Sequence, residues 1–164
     1  MPEVITYREP LRADFERLNR EWIETWFTVE EADREAFRDP AAKIVAPGGQ
    51  VFFVVDGGRV LGTCAVIRHR PEVLEIAKMA VAAEARGRGY GDLLMEAAIE
   101  FSRRAGAHRV IIVSNTRLAP ALQLYRKHGF VEVPLASGQR YARADIQLER
   151  DLEAEPLREA NAEV

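Results

Sequence analysis

The chain reads as an α/β (α+β) domain, and three observations support that. Apolar runs of strand length alternate with stripes of helical period along the whole sequence. Asp56-Gly57-Gly58 is a hairpin signal between two such runs. The strand over residues 73–81 leads through Ala85-Arg86-Gly87-Arg88-Gly89-Tyr90-Gly91 straight into an amphipathic helix.

Val4 to Tyr7 reads as a first strand. Leu11, Phe15, Leu18, Trp22 and Trp26 then recur at three- and four-residue steps, the apolar stripe of a helix. Thr28-Val29-Glu30-Glu31 has the capping-box pattern and predicts a second helix that ends before Pro40. Pro47-Gly48-Gly49 marks a turn, and strands follow at Val51–Val55, Arg59–His69 and 73–81. Leu94, Ala97, Ala98 and Phe101 mark the inner face of the helix after the glycine loop, which Gly106 ends. Arg109–Ser114 reads as a buried strand and residues 117–128 as a helix with Pro120 in its first turn and Gly129 at its cap. Phe130–Val133 and Tyr141–Leu148 read as the last two strands. Residues 1–150 form one domain on this reading, and 151–164 an acidic tail expected to fray.

Composition narrows the function classes. At 164 residues one domain buries about 70% of its unfolded-chain surface. A net charge of −3 gives no reason to expect nucleic acid as a partner. No apolar run approaches the ~20 residues that cross a bilayer, and the first residues lack the pattern of a signal peptide. A single cysteine, Cys64, excludes an internal disulfide and fits a cytoplasmic protein. His69, His108 and His128 fall in separate elements with no metal-ligand spacing, so no metal is expected.

The glycine loop carries the chemistry. A helix N-terminus presents unsatisfied N–H donors and a positive partial charge, which suit a phosphate. Glycines let an anion approach the main chain, and Arg86 and Arg88 add permanent positive charge. A Walker loop is excluded, because no Gly-Lys-Ser/Thr follows, and the glycine spacing is not that of a dinucleotide-binding βαβ unit. An ordinary strand-to-helix turn remains the alternative for the loop taken alone.

Residues 86–91 match R/Q-x-x-G-x-G/A, the pyrophosphate loop of the general N-acetyltransferase (GNAT) superfamily. The strand Leu74–Val81 resembles that family's fourth strand, and Ala121–Phe130 its acyl-CoA helix with the Gly-Phe entry to the next strand. The resemblance covers residues 50–133 and implies a mixed, mostly antiparallel central sheet flanked by helices. It implies acetyl-CoA as acyl donor and acetyl transfer to a primary amine by direct attack, on a small molecule or peptide. A binding module without turnover, a protein or peptide N-acetyltransferase, and a homodimer remain open.

By the same resemblance, the main chain of Met79, Ala80 and Val81 anchors pantetheine and the acyl oxygen. Arg86, Gly87, Arg88, Gly89, Tyr90 and Gly91 hold the pyrophosphate. A lysine-like amine is neutral in only about one molecule in two thousand near pH 7, so a base is needed. Glu75, on the strand face of Ala77, Met79 and Val81, is the candidate base, with a carboxylate paired to a nearby arginine at the sheet edge as the rival reading. Tyr125, four residues before Gly129-Phe130, is the candidate acid for the leaving thiolate. The family's asparagine seven residues before this tyrosine is replaced by Leu118. Asn115 either bonds the cofactor from the strand end or caps the helix, with Thr116 as a rival cap. Trp22, Trp26 and Phe27 are candidates for the acceptor cleft, though packing is the default for the stripe residues. Arg68, His69, Tyr141 and Arg143 are further polar groups near it. Lys78 is expected to point opposite Glu75 and snorkel to the sheet edge, and Cys64 to be a buried thiol.

Overall fold

The computed structural model describes residues 1–152. Eleven principal elements follow in the order β1 (Glu3–Thr6), α1 (Arg12–Trp26), α2 (Glu31–Arg38), β2 (Gln50–Asp56), β3 (Arg59–Arg70), β4 (Val73–Val81), α3 (Tyr90–Arg104), β5 (Arg109–Ser114), α4 (Ala119–Lys127), β6 (Val131–Val133) and β7 (Ile146–Asp151). One seven-stranded sheet has the order β1-β2-β3-β4-β5-β7-β6. Every neighbouring pair is antiparallel except β4 and β5. The mixed, mostly antiparallel sheet flanked by helices is the expected class.

Strand alternation sorts the core onto two faces. Phe52 and Val54 of β2 join Cys64, Val66, Leu74 and Ile76 under Leu94, Met95 and Ala98 of α3. Val51 and Phe53 of the same strand point the other way, with Ala65, against Phe15 and Ile23 of α1 and Phe37 of α2. Full burial of each such side chain contributes about 1.5–3 kcal/mol, so both layers are anchored on the central hairpin. That hairpin turns at Gly57 (φ 61°) and Gly58 (φ 76°), the two positive φ angles that match the strand twist.

Four local expectations are corrected. The capping box lies two residues later than predicted: Glu30 is the N-cap of α2, and Asp33 bonds back to the Glu30 N–H at 2.9 Å. A carboxylate caps as well as a hydroxyl, and Asp33 gains further partners described below. The last strand starts at Ile146 rather than Tyr141, because residues 141–145 turn to meet α2 instead of pairing in the sheet. The tail boundary moves as well: Asp151 pairs with Arg109 in the ladder and Leu152 is buried, while the rest of the acidic tail lies outside the described residues. Lys78 is buried rather than at the sheet edge.

Two irregularities in β4 create the site. The strand pairs with β5 only over Val73–Glu75 against Arg109–Ile111, yet it continues to Val81. Beyond Glu75 the two strands part, and the edge of β4 facing β5 has no ladder partner. In the β3 ladder Thr63 opposes Ala80 and Ala65 opposes Ala77, so Cys64 stands opposite both Lys78 and Met79. This is a β-bulge, and Lys78 there is the single non-glycine residue with positive φ (55°) among the described residues.

Candidate active site

A cleft of about 730 Å³ runs along the parted strands from the glycine loop to α1 and the β6–β7 loop. Arg86, Gly87, Gly89, Tyr90, Gly91 and Asp92 line one end. Gly87 and Gly89 both hold φ 83°, and Gly89 is the N-cap of α3 with no side-chain cap bond. The first helical bond runs from Leu93 N–H to the Gly89 carbonyl, so the amides of Tyr90, Gly91 and Asp92 have no acceptor within the helix. A Cβ built on Gly87 or Gly89 meets nothing within 4 Å. Space of that kind beside free N–H groups fits a diphosphate.

The loop residues differ in what their side chains do. Arg86 lines the cleft with no carboxylate partner among the described residues, whereas Arg88 is absent from the lining and donates to the Glu84 carbonyl at 3.3 Å. The Tyr90 ring is buried, with its hydroxyl donating to Asp56 at 2.5 Å, so only its main chain faces the cradle end. Gly91 serves packing: a Cβ there would come within 3.0 Å of Leu124 on α4. Asp92, a negative charge in the first turn, is paired with Lys127 at 2.9 Å and hydrogen-bonded to His128 at 2.7 Å, and these bonds lower its pKa.

Met79, Ala80 and Val81 line the middle of the cleft on the open edge of β4. Opposite them stands Tyr125, on the inner face of α4 with Leu122. Its hydroxyl makes no hydrogen bond to the described protein, and burial pushes its pKa up to about 12. It therefore holds its proton at neutral pH and has a free donor. Asn115 also lines the cleft, but its side chain is engaged: it accepts from Arg117 N–H at 2.8 Å and donates to the Arg143 carbonyl at 2.7 Å. Leu118, not Asn115, is the N-cap of α4, and Thr116 bonds Asp145 rather than the helix.

Glu75 lies where β4 and β5 begin to part. Its partner is His69 of β3, at 2.6 Å, a histidine rather than an arginine. The pair gives a carboxylate with an attached imidazole, a group able to accept a proton and pass it on. Cys64, fully buried with its pKa pushed up to about 12 by burial, is an unreactive packing thiol.

Past Glu75 the cleft meets a charged cluster: Tyr141 and Arg143 lie at the cleft as expected, but their partners Asp33, Glu30 and Lys78 were not anticipated. Asp33 of α2, wholly buried, receives a bidentate pair from Arg143 at 2.7 and 2.9 Å and an ion pair from Lys78. Arg143 also reaches Glu30 at 3.5 Å, and Ala142 N–H bonds Glu30 at 3.1 Å. The Lys78 ammonium sits 4.3 Å from the Tyr141 ring centre, and Arg143 stacks 4.6 Å from the same ring and 5.6 Å from Trp22. Burial opposes charge on Asp33, but the Arg143 bonds and Lys78 outweigh it and bring its pKa to about 2. Burial lowers Lys78 to about 8 against the pull of Asp33. The only sequence signal for Asp33 was its spacing from Glu30. Arg68 lies apart, bonded to the Pro71 carbonyl at 3.1 Å. Among the described residues no group of three or more His, Cys, Asp or Glu side chains is arranged to hold a metal ion, and no helix is long and apolar enough to cross a membrane.

A glycine loop with free helix-start amides, an open strand edge and a free phenol in one cleft have the shape and donors that an acyl-CoA ligand needs. Residues 14–130 match the Acetyltransferase (GNAT) family, and the chain belongs to it. A mycothiol acetyltransferase of Corynebacterium glutamicum is 36% identical over 80 residues, a match spanning 49% of this chain but only 27% of that relative's length. A GNAT-family acetyltransferase from Staphylococcus aureus superposes with a TM-score of 0.85 at 16% identity, over 93% of this chain and 99% of that one. The acetyltransferase YncA of Salmonella typhimurium, whose structure holds its cofactor acetyl-CoA, superposes at 0.72 with 18% identity, over 95% and 96%. At such identities the structural likeness establishes the fold.

Proposed function

We propose that this chain is an N-acetyltransferase that moves an acetyl group from acetyl-CoA to a primary amine by direct attack. The observation that carries the reading is the parting of β4 from β5, which joins the phosphate cradle, an unpaired strand edge, the Tyr125 hydroxyl and the Glu75–His69 pair in one cleft. When bound, acetyl-CoA supplies an acetyl group activated as a thioester. Gly87, Gly89, Gly91 and the main chain of Tyr90 hold the diphosphate with the charges of Arg86 and Arg88. The main chain of Met79, Ala80 and Val81 offers donors to pantetheine and to the acyl oxygen, at little reorganisation cost. Glu75, with His69 behind it, takes the amine proton, and Tyr125 donates one to the leaving sulfur. Overall one C–S bond is exchanged for one C–N bond, and the proton lost by the amine is balanced on the thiol.

Thiol release from acetyl-CoA, followed across polyamines, amino acids, aminoglycosides, aryl amines and lysine peptides, tests this reading. Release with one class establishes the activity. No release, with coenzyme A still raising the melting temperature, leaves a binding module instead. Tyr125→Phe loses no hydrogen bond to the protein, so it should leave stability almost unchanged and cut kcat about a hundredfold. Wild-type turnover in that variant removes Tyr125 as the acid. Glu75→Gln should flatten the rise of rate between neutral and alkaline pH, and a pH–rate profile identical to wild type excludes Glu75 as the base. The single buried thiol supports a cytoplasmic location. The edge strand β6, with Val131 63% exposed, is the surface that supports a homodimer.

A further inference from the structure

Charge in the cleft is unevenly neutralised. Lys78 and Arg143 are matched by Asp33 and Glu30, and Asp92 by Lys127. Two cations at the acceptor end have no carboxylate among the described residues: Arg117 and Arg140, both lining the cleft. Arg117 is oriented without an anion. Its guanidinium lies 5.3 Å from the Phe27 ring centre and 5.7 Å from that of Trp26, and it donates to the Trp26 carbonyl at 3.3 Å. Arg140 lies on the β6–β7 loop beside Tyr141. The Tyr141 hydroxyl, raised to about 12 by burial, sits in the fields of Asp33, Arg140, Arg143 and Glu75 together. Arg140 and Glu75 line the same cleft as Tyr141, one offering an unneutralised guanidinium and the other a proton acceptor. Between them the cleft is walled by Trp22, Trp26 and Tyr141.

We propose, resting on the acetyltransferase reading, that the acceptor is a small primary amine carrying its own oxyanion, a carboxylate or phosphonate. Arg117 and Arg140 bind the oxyanion while the amine faces Glu75. A guanidinium matches such a group in shape as well as charge, and a site built around it discriminates strongly against an analogue that lacks it. A polyamine would bring a second cation to the same two arginines, which disfavours that class.

The test uses matched pairs: phenylalanine with phenethylamine, leucine with isoamylamine, and 2-aminoethylphosphonate with ethylamine. For each, kcat/KM and the rise in melting temperature in the presence of coenzyme A are measured on the full chain. The anionic member of at least one pair should be preferred by about tenfold or more in kcat/KM and should alone raise the melting temperature. Carboxylate and phosphonate arms identify which oxyanion fits. Arg117→Gln and Arg140→Gln should raise KM for the anionic member at least about tenfold more than for its neutral counterpart, with folding checked by unchanged coenzyme A affinity. Equal or better use of the neutral members, or equal losses on both members, overturns the proposal while leaving the acetyltransferase reading intact. Turnover of no amine, with no melting shift from any anionic member, overturns both.

Discussion

Replacing Gly89 by glutamate is expected to abolish measurable coenzyme A binding in a protein that still folds. Gly89 holds φ 83° at the N-cap of α3, so any other residue there costs about 1–2 kcal/mol of backbone strain. A domain with 5–15 kcal/mol of stability tolerates that cost. A Cβ at this position meets no protein atom within 4 Å, so the added side chain has open space beside the free amides to enter. It brings bulk and a negative charge to the place where the diphosphate needs N–H donors. Together these should weaken affinity by roughly a hundredfold or more, about 3 kcal/mol, read by titration calorimetry. Gly89→Ala carries the same strain without the charge and should retain most of the affinity. Unchanged affinity in the glutamate variant would falsify the assignment of the loop.

The second large effect is expected at Asp33. Asp33→Asn leaves the Lys78 ammonium and the Arg143 guanidinium buried together with their shared counter-charge gone. Breaking a buried pair in this way costs about 3–5 kcal/mol, measurable by chemical denaturation. The same carboxylate sets an acid limit. Between pH 3.8, its ordinary value, and about 2, the unfolded chain binds a proton on Asp33 that the native protein does not. Stability from this group is therefore complete above about pH 5 and falls by about 2 kcal/mol as pH drops through that window to below about 2. In the asparagine variant this part of the acid slope should vanish. A variant as stable as wild type, with the same acid slope, removes Asp33 as the anchor of the cluster.

The strand–glycine loop–helix end of the cleft was legible in the sequence because it is local. An anion cradle needs a strand, glycines and a helix start in one continuous run, and residues 74–91 supply all three. The order of strands and helices was legible for the same reason, from periodicity and turn chemistry. The acceptor half is assembled from α1, α2, β3, β4 and the β6–β7 loop, and no single stretch announces it. Asp33 sits at a helix start, where an acid is ordinary, and Lys78 sits in a strand, where alternation predicted a snorkelling side chain. The bulge at Lys78 interrupts the regular ladder, and the Asp33 cluster joins residues 45 and 110 positions apart in the chain. His69 was noted near the cleft, but its bond to Glu75 depends on the β3–β4 register.

The departure of β4 from β5 has a consequence for how such an enzyme changes. The strand edge is a shared border: the glycine loop, α3 and α4 line the cleft toward one end, and α1 and the β6–β7 loop toward the other. If the donor grips main chain along this border, as proposed above, substitutions at Trp22, Arg117, Arg140 or Tyr141 would retune the choice of amine with the donor's footing undisturbed. Inheritance of the donor half and divergence of the acceptor half are thus written into one unpaired strand.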